Sequence, residues 1–198
     1  MPHTLTKRLS AASRDALKRH FLALGDDDRR LRFGSAVGDA GIAAYVDRID
    51  FDRDAVFGVF DDELGLKGVG HVAVGGDMAE LGVSVLPAHR GQGIGTALFE
   101  RAHTFARNSL LHDLFMHCLA ENAAMMHIAK KSRMRIVAAS GEVDAHLELP
   151  PSDPSSITGE MMLEQVALFD YALRAQVLSA RRIGEAMRGA PEERDGTD

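Results

Sequence analysis

Arg90-Gly91-Gln92-Gly93-Ile94-Gly95-Thr96 stands between two stretches of different period. Before it, Ala79, Leu81, Val83 and Val85 alternate with Glu80, Gly82 and Ser84, the pattern of a strand over 78–86 with one buried face. After it, Ile94, Leu98, Ala102 and Phe105 share one helical face, with Glu100, Arg101, His103, Thr104 and Arg107 turned away from it. Glycines between a strand and a helix let the backbone approach a ligand closely. The free N–H groups of the first helical turn then point at an anion. A phosphate-bearing ligand is the first expectation; a bare tight turn is the plainer alternative.

Two familiar phosphate loops fail on the residues. A Walker A loop closes on Gly-Lys-Ser/Thr, whereas this one closes on Gly95-Thr96-Ala97. A dinucleotide fingerprint from Gly91 needs a third glycine where Thr96 stands and an acid about 20 residues further on. Glu121 is too distant for that acid.

Outward from the loop, the pattern is mixed. Leu17, Phe21 and Leu24 mark a first helix from an N-cap at Ser10, with Gly25 as its stop. Asp26-Asp27-Asp28-Arg29-Arg30 reads as a polar connection, and Ile42, Tyr45, Val46 and Ile49 mark a second helix over 39–48. Strands are expected over 55–60, 66–74, 78–86 and 114–119, with a turn at Gly75-Gly76-Asp77. A short helix over 122–131 precedes a hairpin of 134–138 and 143–149 around Ser140-Gly141. Pro150-Pro151-Ser152-Asp153-Pro154 opens a linker. Met162, Val166, Phe169 and Leu173 then recur on a long helix, packed on the parent domain or paired with a second copy. The expected division is a domain over 1–150, a linker over 151–157, a helix over 158–190 and a disordered tail over 191–198.

Composition sets the outer limits. With 198 residues, 45% hydrophobic and 26% charged, the chain can bury a full core. Lys and Arg number 23 against 29 Asp and Glu, a net charge of −6 that argues against generic nucleic-acid or anionic-membrane binding. Cys118 is the single cysteine, so no intramolecular disulfide can form, and no Cys/His spacing suits a structural zinc site. Asp50, Asp52 and Asp54 alternate, but Ala55 and Asp61 stand where a calcium loop needs Gly and Glu, so no metal is expected. No apolar run approaches the roughly 20 residues of a membrane span. The N-terminal stretch lacks a signal-type apolar core, and a cytoplasmic protein is expected.

A third loop pattern, R/Q-x-x-G-x-G/A, is met in full by Arg90, Gly93 and Gly95. With the strand Leu81 to Pro87 before it, the helix after it, Asn122 opening a further helix and a closing hairpin to Leu149, residues 5–150 resemble the GNAT superfamily of N-acetyltransferases. The resemblance implies an α/β (α+β) fold: a mostly antiparallel, splayed mixed sheet flanked by helices, here with a C-terminal helical extension. It implies acetyl-CoA as cosubstrate. The strand 78–86 is to part from 114–119 at a bulge. Val83 and Val85 are to pair with the pantetheine arm, and Arg90, Gly91, Gln92, Gly93, Ile94, Gly95 and Thr96 are to hold the pyrophosphate. Asn122 reaches the pantetheine or simply caps its helix. Glu80 is the implied general base and the Val85 N–H the oxyanion donor.

The sequence also departs from the family. The acid tyrosine, seven residues past Asn122, is replaced by Ala129, and Arg133 replaces the glycine before the final hairpin. His117, Cys118 and His127 lie near in sequence, each with a structural alternative; Ser84 is a possible polar contact or strand filler. Residues 29–33 and 49–54 are similar to the start of the GNAT domain in bacterial protein-lysine acetyltransferases; here Asp50, Asp52 and Asp54 make either a charged turn paired with Arg53 or Arg48, or a cationic-acceptor site. The expected function is acetyl transfer to a primary amine, on a protein lysine or a small metabolite, with no nucleic acid or membrane involved and a possible homodimer through the C-terminal helix. The alternative is a non-catalytic CoA-binding sensor or interaction module on the same fold.

Overall fold

The computed structural model describes residues 4–189. Thirteen longer elements follow in order: β1 (Lys7–Arg8), α1 (Arg14–Leu22), α2 (Asp26–Phe33), α3 (Asp39–Arg48), β2 (Ala55–Phe60), β3 (Leu66–Gly75), β4 (Met78–Val85), α4 (Ile94–Asn108), β5 (Asp113–Leu119), α5 (Ala123–Lys131), β6 (Arg135–Ala139), β7 (Glu142–Glu148) and α6 (Pro154–Gly189). They form a mixed α/β fold on one seven-stranded sheet of order β1-β2-β3-β4-β5-β7-β6. Every neighbouring pair is antiparallel except β4 and β5.

The sheet separates two apolar clusters because strand side chains alternate faces. Leu81 and Leu114 pack with Leu98, Phe105 and Ile128 of α4 and α5 on one side. Val56 and Val69 pack with Leu17, Phe21, Ile42 and Val46 of α1 and α3 on the other. The hairpin of β6 and β7 turns through Ser140 and Gly141, both at positive φ (52° and 89°). No helix among the described residues is long and apolar enough to cross a membrane.

Three local expectations differ from the structure. Residues 26–30 are not a connection but the start of α2, with three acids in its first turn, Arg30 and Arg32 in its last, and Gly34 as a left-handed C-cap. That order of charge complements the helix dipole. The first helix is preceded by a separate 3-10 turn over Ala11–Ser13, and Ser10 makes no side-chain cap. The last helix starts at Pro154 rather than 158, since proline fits the first helical turn. The tail expected over 191–198 lies outside the described residues.

One buried polar pair joins the layers. The His20 Nδ1–H of α1 donates to the Leu66 carbonyl at 2.8 Å, so Nε2 accepts from the Ser84 hydroxyl at 2.8 Å. Burial pushes the His20 imidazole down to about 4, with the Arg32 charge lowering it further against the Leu66 bond. Unfolded, the ring titrates near its ordinary 6.5, so between about 6.5 and 4 the unfolded chain binds the extra proton. Stability therefore falls as pH drops through that window, by about 3 kcal/mol in total. Urea unfolding from pH 7 to pH 4 should show this decline, and His20→Gln should flatten it. A wild-type profile as flat as the variant's would exclude a neutral buried His20.

Candidate functional site

The sheet is incomplete at its centre. β4 and β5 pair only through Met78–Asp113, Ala79–Leu114 and Glu80–Phe115. Beyond them β5 stays paired with β7 to Leu119, while β4 stays paired with β3 to Val85. No bulge produces the parting: the β3–β4 register runs unbroken from Gly68–Val85 to Gly75–Met78, and the one irregularity lies between Val59 and Phe60 of β2. Leu86 N–H donates to Lys67 O, on the β3 side. Alternate strand residues turn their N–H and C=O to opposite edges. Val85 and Val83 therefore face the gap, where the Val85 carbonyl accepts from Arg90 Nε at 3.2 Å.

A cavity of about 640 Å³ occupies this gap. Val83, Ser84, Val85, Arg90, Gly91, Gly93, Ile94, Gly95, Thr96 and Asn122 all line it. Gly91 and Gly93 hold φ of 73° and 77°, which favours glycine, and Gly93 is the N-cap of α4. The N–H groups of the first α4 turn have no intrahelical partners. Gln92 departs from this set and lines a second cavity on the far side of the loop. Its neighbours Gly91 and Gly93 both take left-handed backbone, which turns it away.

Asn122 serves as the cap: its Oδ1 accepts from Met125 N–H at 3.1 Å and its Nδ2 donates to Leu31 O at 3.2 Å. Both ends of the amide are thereby engaged within the protein. Glu80 is exposed on β4 at the last rung before the parting and does not line the cavity. It shares a sheet face with Gly82 and Ser84, as the alternation requires.

The other sequence candidates separate clearly. Cys118 is 5% exposed in the core, and burial pushes its thiol up, away from reactivity. Ala129 is buried and offers no proton. His117 pairs with Asp144 at 2.7 Å, and that bond holds its pKa above the ordinary range. His127 lines the cavity. Asp50 makes the expected charged turn, accepting from Asp52 N–H at 3.1 Å. Asp54 is buried instead, and accepts from Arg53, Val74 N–H and His71.

Sequence reasoning missed the roof of the cavity. α2 contributes Asp28, Leu31 and Arg32 to its lining. Asp28 pairs with Arg90 at 2.7 Å, and Arg30 pairs with Glu121. The available clue was Gly82, an unexplained glycine inside a strong strand.

The sequence model described as "Acetyltransferase (GNAT) domain" matches residues 9–135. No curated protein matches the chain. Among solved structures, the GNAT domain of S. lividans PAT superposes with a TM-score of 0.63 at 18% identity, covering 73% of this chain and 89% of that one. The ribosomal-protein-alanine N-acetyltransferase from Brucella melitensis gives 0.58 at 18% identity, covering 73% and 99%. The spermidine N-acetyltransferase from Vibrio cholerae, in complex with CoA and spermine, gives 0.57 at 16% identity, covering 72% and 94%.

Proposed function

The chain belongs to the GNAT acetyltransferase family, and we propose that it moves an acetyl group from acetyl-CoA to a primary amine by direct attack. The observation that carries this reading is the half-made β4–β5 pair with the glycine loop at its open end. An extended pantetheine arm can add to the free β4 edge at Val83 and Val85, as a strand adds to a sheet. The first-turn amides of α4 suit its pyrophosphate. The amine nitrogen bonds to the thioester carbonyl carbon, the C–S bond breaks and CoA thiolate leaves. Glu80, through water, takes the ammonium proton, and the Val85 N–H stabilises the oxyanion. The free pKa of about 8.5 lets a thiolate depart without a dedicated acid, which Ala129 does not supply.

The buried Ala129 is the one feature that favours a non-catalytic CoA sensor instead. Wild type should bind acetyl-CoA with micromolar affinity by calorimetry. Gly93→Glu should abolish binding, because it strains a left-handed position (φ 77°) and puts a carboxylate at the anion site. Glu80→Gln should keep that affinity yet lose about a hundredfold or more in thiol release with an amine panel. Turnover unaffected by Glu80→Gln would refute the base; tight binding with no turnover on any amine would leave the sensor reading.

Residues 1–150 serve in this reading as the catalytic unit and α6 as the means of pairing two copies. The inner face of α6 docks through Ala167, through Tyr171 on Phe60, and through Glu160 and Glu164 on Arg101. Its outer face exposes Met162, Val166, Phe169, Leu173 and Val177. That stripe is nearly symmetric about Phe169-Asp170, so an antiparallel second copy sets Met162 opposite Val177 and Val166 opposite Leu173. Sedimentation should show a dimer that Phe169→Glu converts to monomer with acetyl-CoA binding retained. A monomeric wild type would exclude this role for the helix.

A further inference from the structure

Arg32 carries a charge that the fold positions but does not neutralise. Its guanidinium lies directly on β4 at Gly82, where an added Cβ would come within 2.3 Å of Cζ. A glycine inside a strand weakens it, and marks where another group approaches closely. Phe33, Tyr45 and Phe21 surround the cation, with ring centroids 5.0, 5.6 and 5.8 Å from Cζ. Arg32 Nη2 donates to the Tyr45 hydroxyl at 2.9 Å. That hydroxyl donates to His71 Nδ1 at 2.7 Å, and His71 Nε2–H donates to Asp54 at 3.3 Å. The chain of bonds is internally consistent, and it ties the guanidinium from behind, through Tyr45 and His71, to the Asp54 carboxylate.

No carboxylate pairs with Arg32 among the described residues, and its buried Nε has no partner. The cavity's other arginine, Arg90, is paired with Asp28, and the lining acid Glu121 is paired with Arg30. Arg32 is thus a fixed, part-buried cation lining the cavity with donors to spare. Pyrophosphate at the α4 amides does not meet it: Val85 lies three strand steps, about 10 Å, beyond Gly82 before the loop begins. The anion for Arg32 has to come with the other substrate.

We propose that Arg32 binds a carboxylate on the acceptor, so that the amine acetylated is that of a free amino acid and not a polyamine. This rests on the acetyltransferase reading above. A guanidinium beside the acceptor also disfavours its ammonium form, which helps present a neutral nucleophile, and it repels a second ammonium. A charge-assisted bond between guanidinium and carboxylate amounts to about ten- to hundredfold in affinity.

The test uses matched acceptors that differ by one carboxylate: phenylalanine and phenethylamine, histidine and histamine, lysine and cadaverine. Each is titrated calorimetrically into the CoA-saturated protein and assayed for thiol release from acetyl-CoA. At least one amino acid should bind about tenfold or more tighter than its decarboxylated partner, with the difference lying in KM. Arg32→Gln should collapse that preference, and so should Gly82→Ala, which keeps the arginine but displaces it. Calorimetric acetyl-CoA affinity reports whether each variant is folded. Equal binding within every pair, or a loss in Arg32→Gln that falls equally on kcat for both members, overturns the proposal. A binding preference without any turnover upholds it and refutes the transfer reaction instead.

Discussion

Beyond Glu80, strand β4 is hydrogen-bonded along one edge only. A strand edge inside a folded domain is a row of N–H and C=O groups that need partners. Here the edge at Val83 and Val85 lines a cavity. The surrounding elements follow from that. β5 does not close the gap: it stays paired with β7 to Leu119, and Asn122 then caps the start of α5. α4 starts at the open end of the gap, with its unpaired N–H groups beside it. The unfinished strand pair and the helix N-terminus together make a site for an extended ligand with an anionic end.

The strands and the loop were legible in sequence because both sit on short-range rules. Alternation placed β4 to within a residue, and the glycines marked the loop, where Gly91 and Gly93 take left-handed backbone. The point of parting was not legible. Apolar alternation runs through Val85 without a break, and whether β5 follows it depends on residues more than thirty positions away. The bulge expected there is absent because two strands can diverge without one gaining a residue.

α2 escaped for a different reason. Asp26-Asp27-Asp28-Arg29-Arg30-Leu31-Arg32-Phe33 offers almost no apolar stripe, so a period search passes over it. Its helix is written in charge order instead, acids first and bases last, closed by Gly34. Many of its tertiary ties are likewise polar, Asp28 to Arg90, Arg30 to Glu121 and the Leu31 carbonyl to Asn122, while Phe33 packs on Phe21 and Tyr45. None of these partners is near in sequence except through the fold.

Those ties make the roof of the cavity and its floor one electrostatic unit. The Arg90–Asp28 pair ties the start of α2 to the glycine loop. Arg32, at the other end of the same helix, is anchored independently through Tyr45, His71 and Asp54. The two ends of α2 therefore answer to different groups, one to the loop and one to the sheet face over Gly82. A helix with little apolar stripe of its own thus keeps its place through a charge near each end and through Phe33, packed on Phe21 and Tyr45.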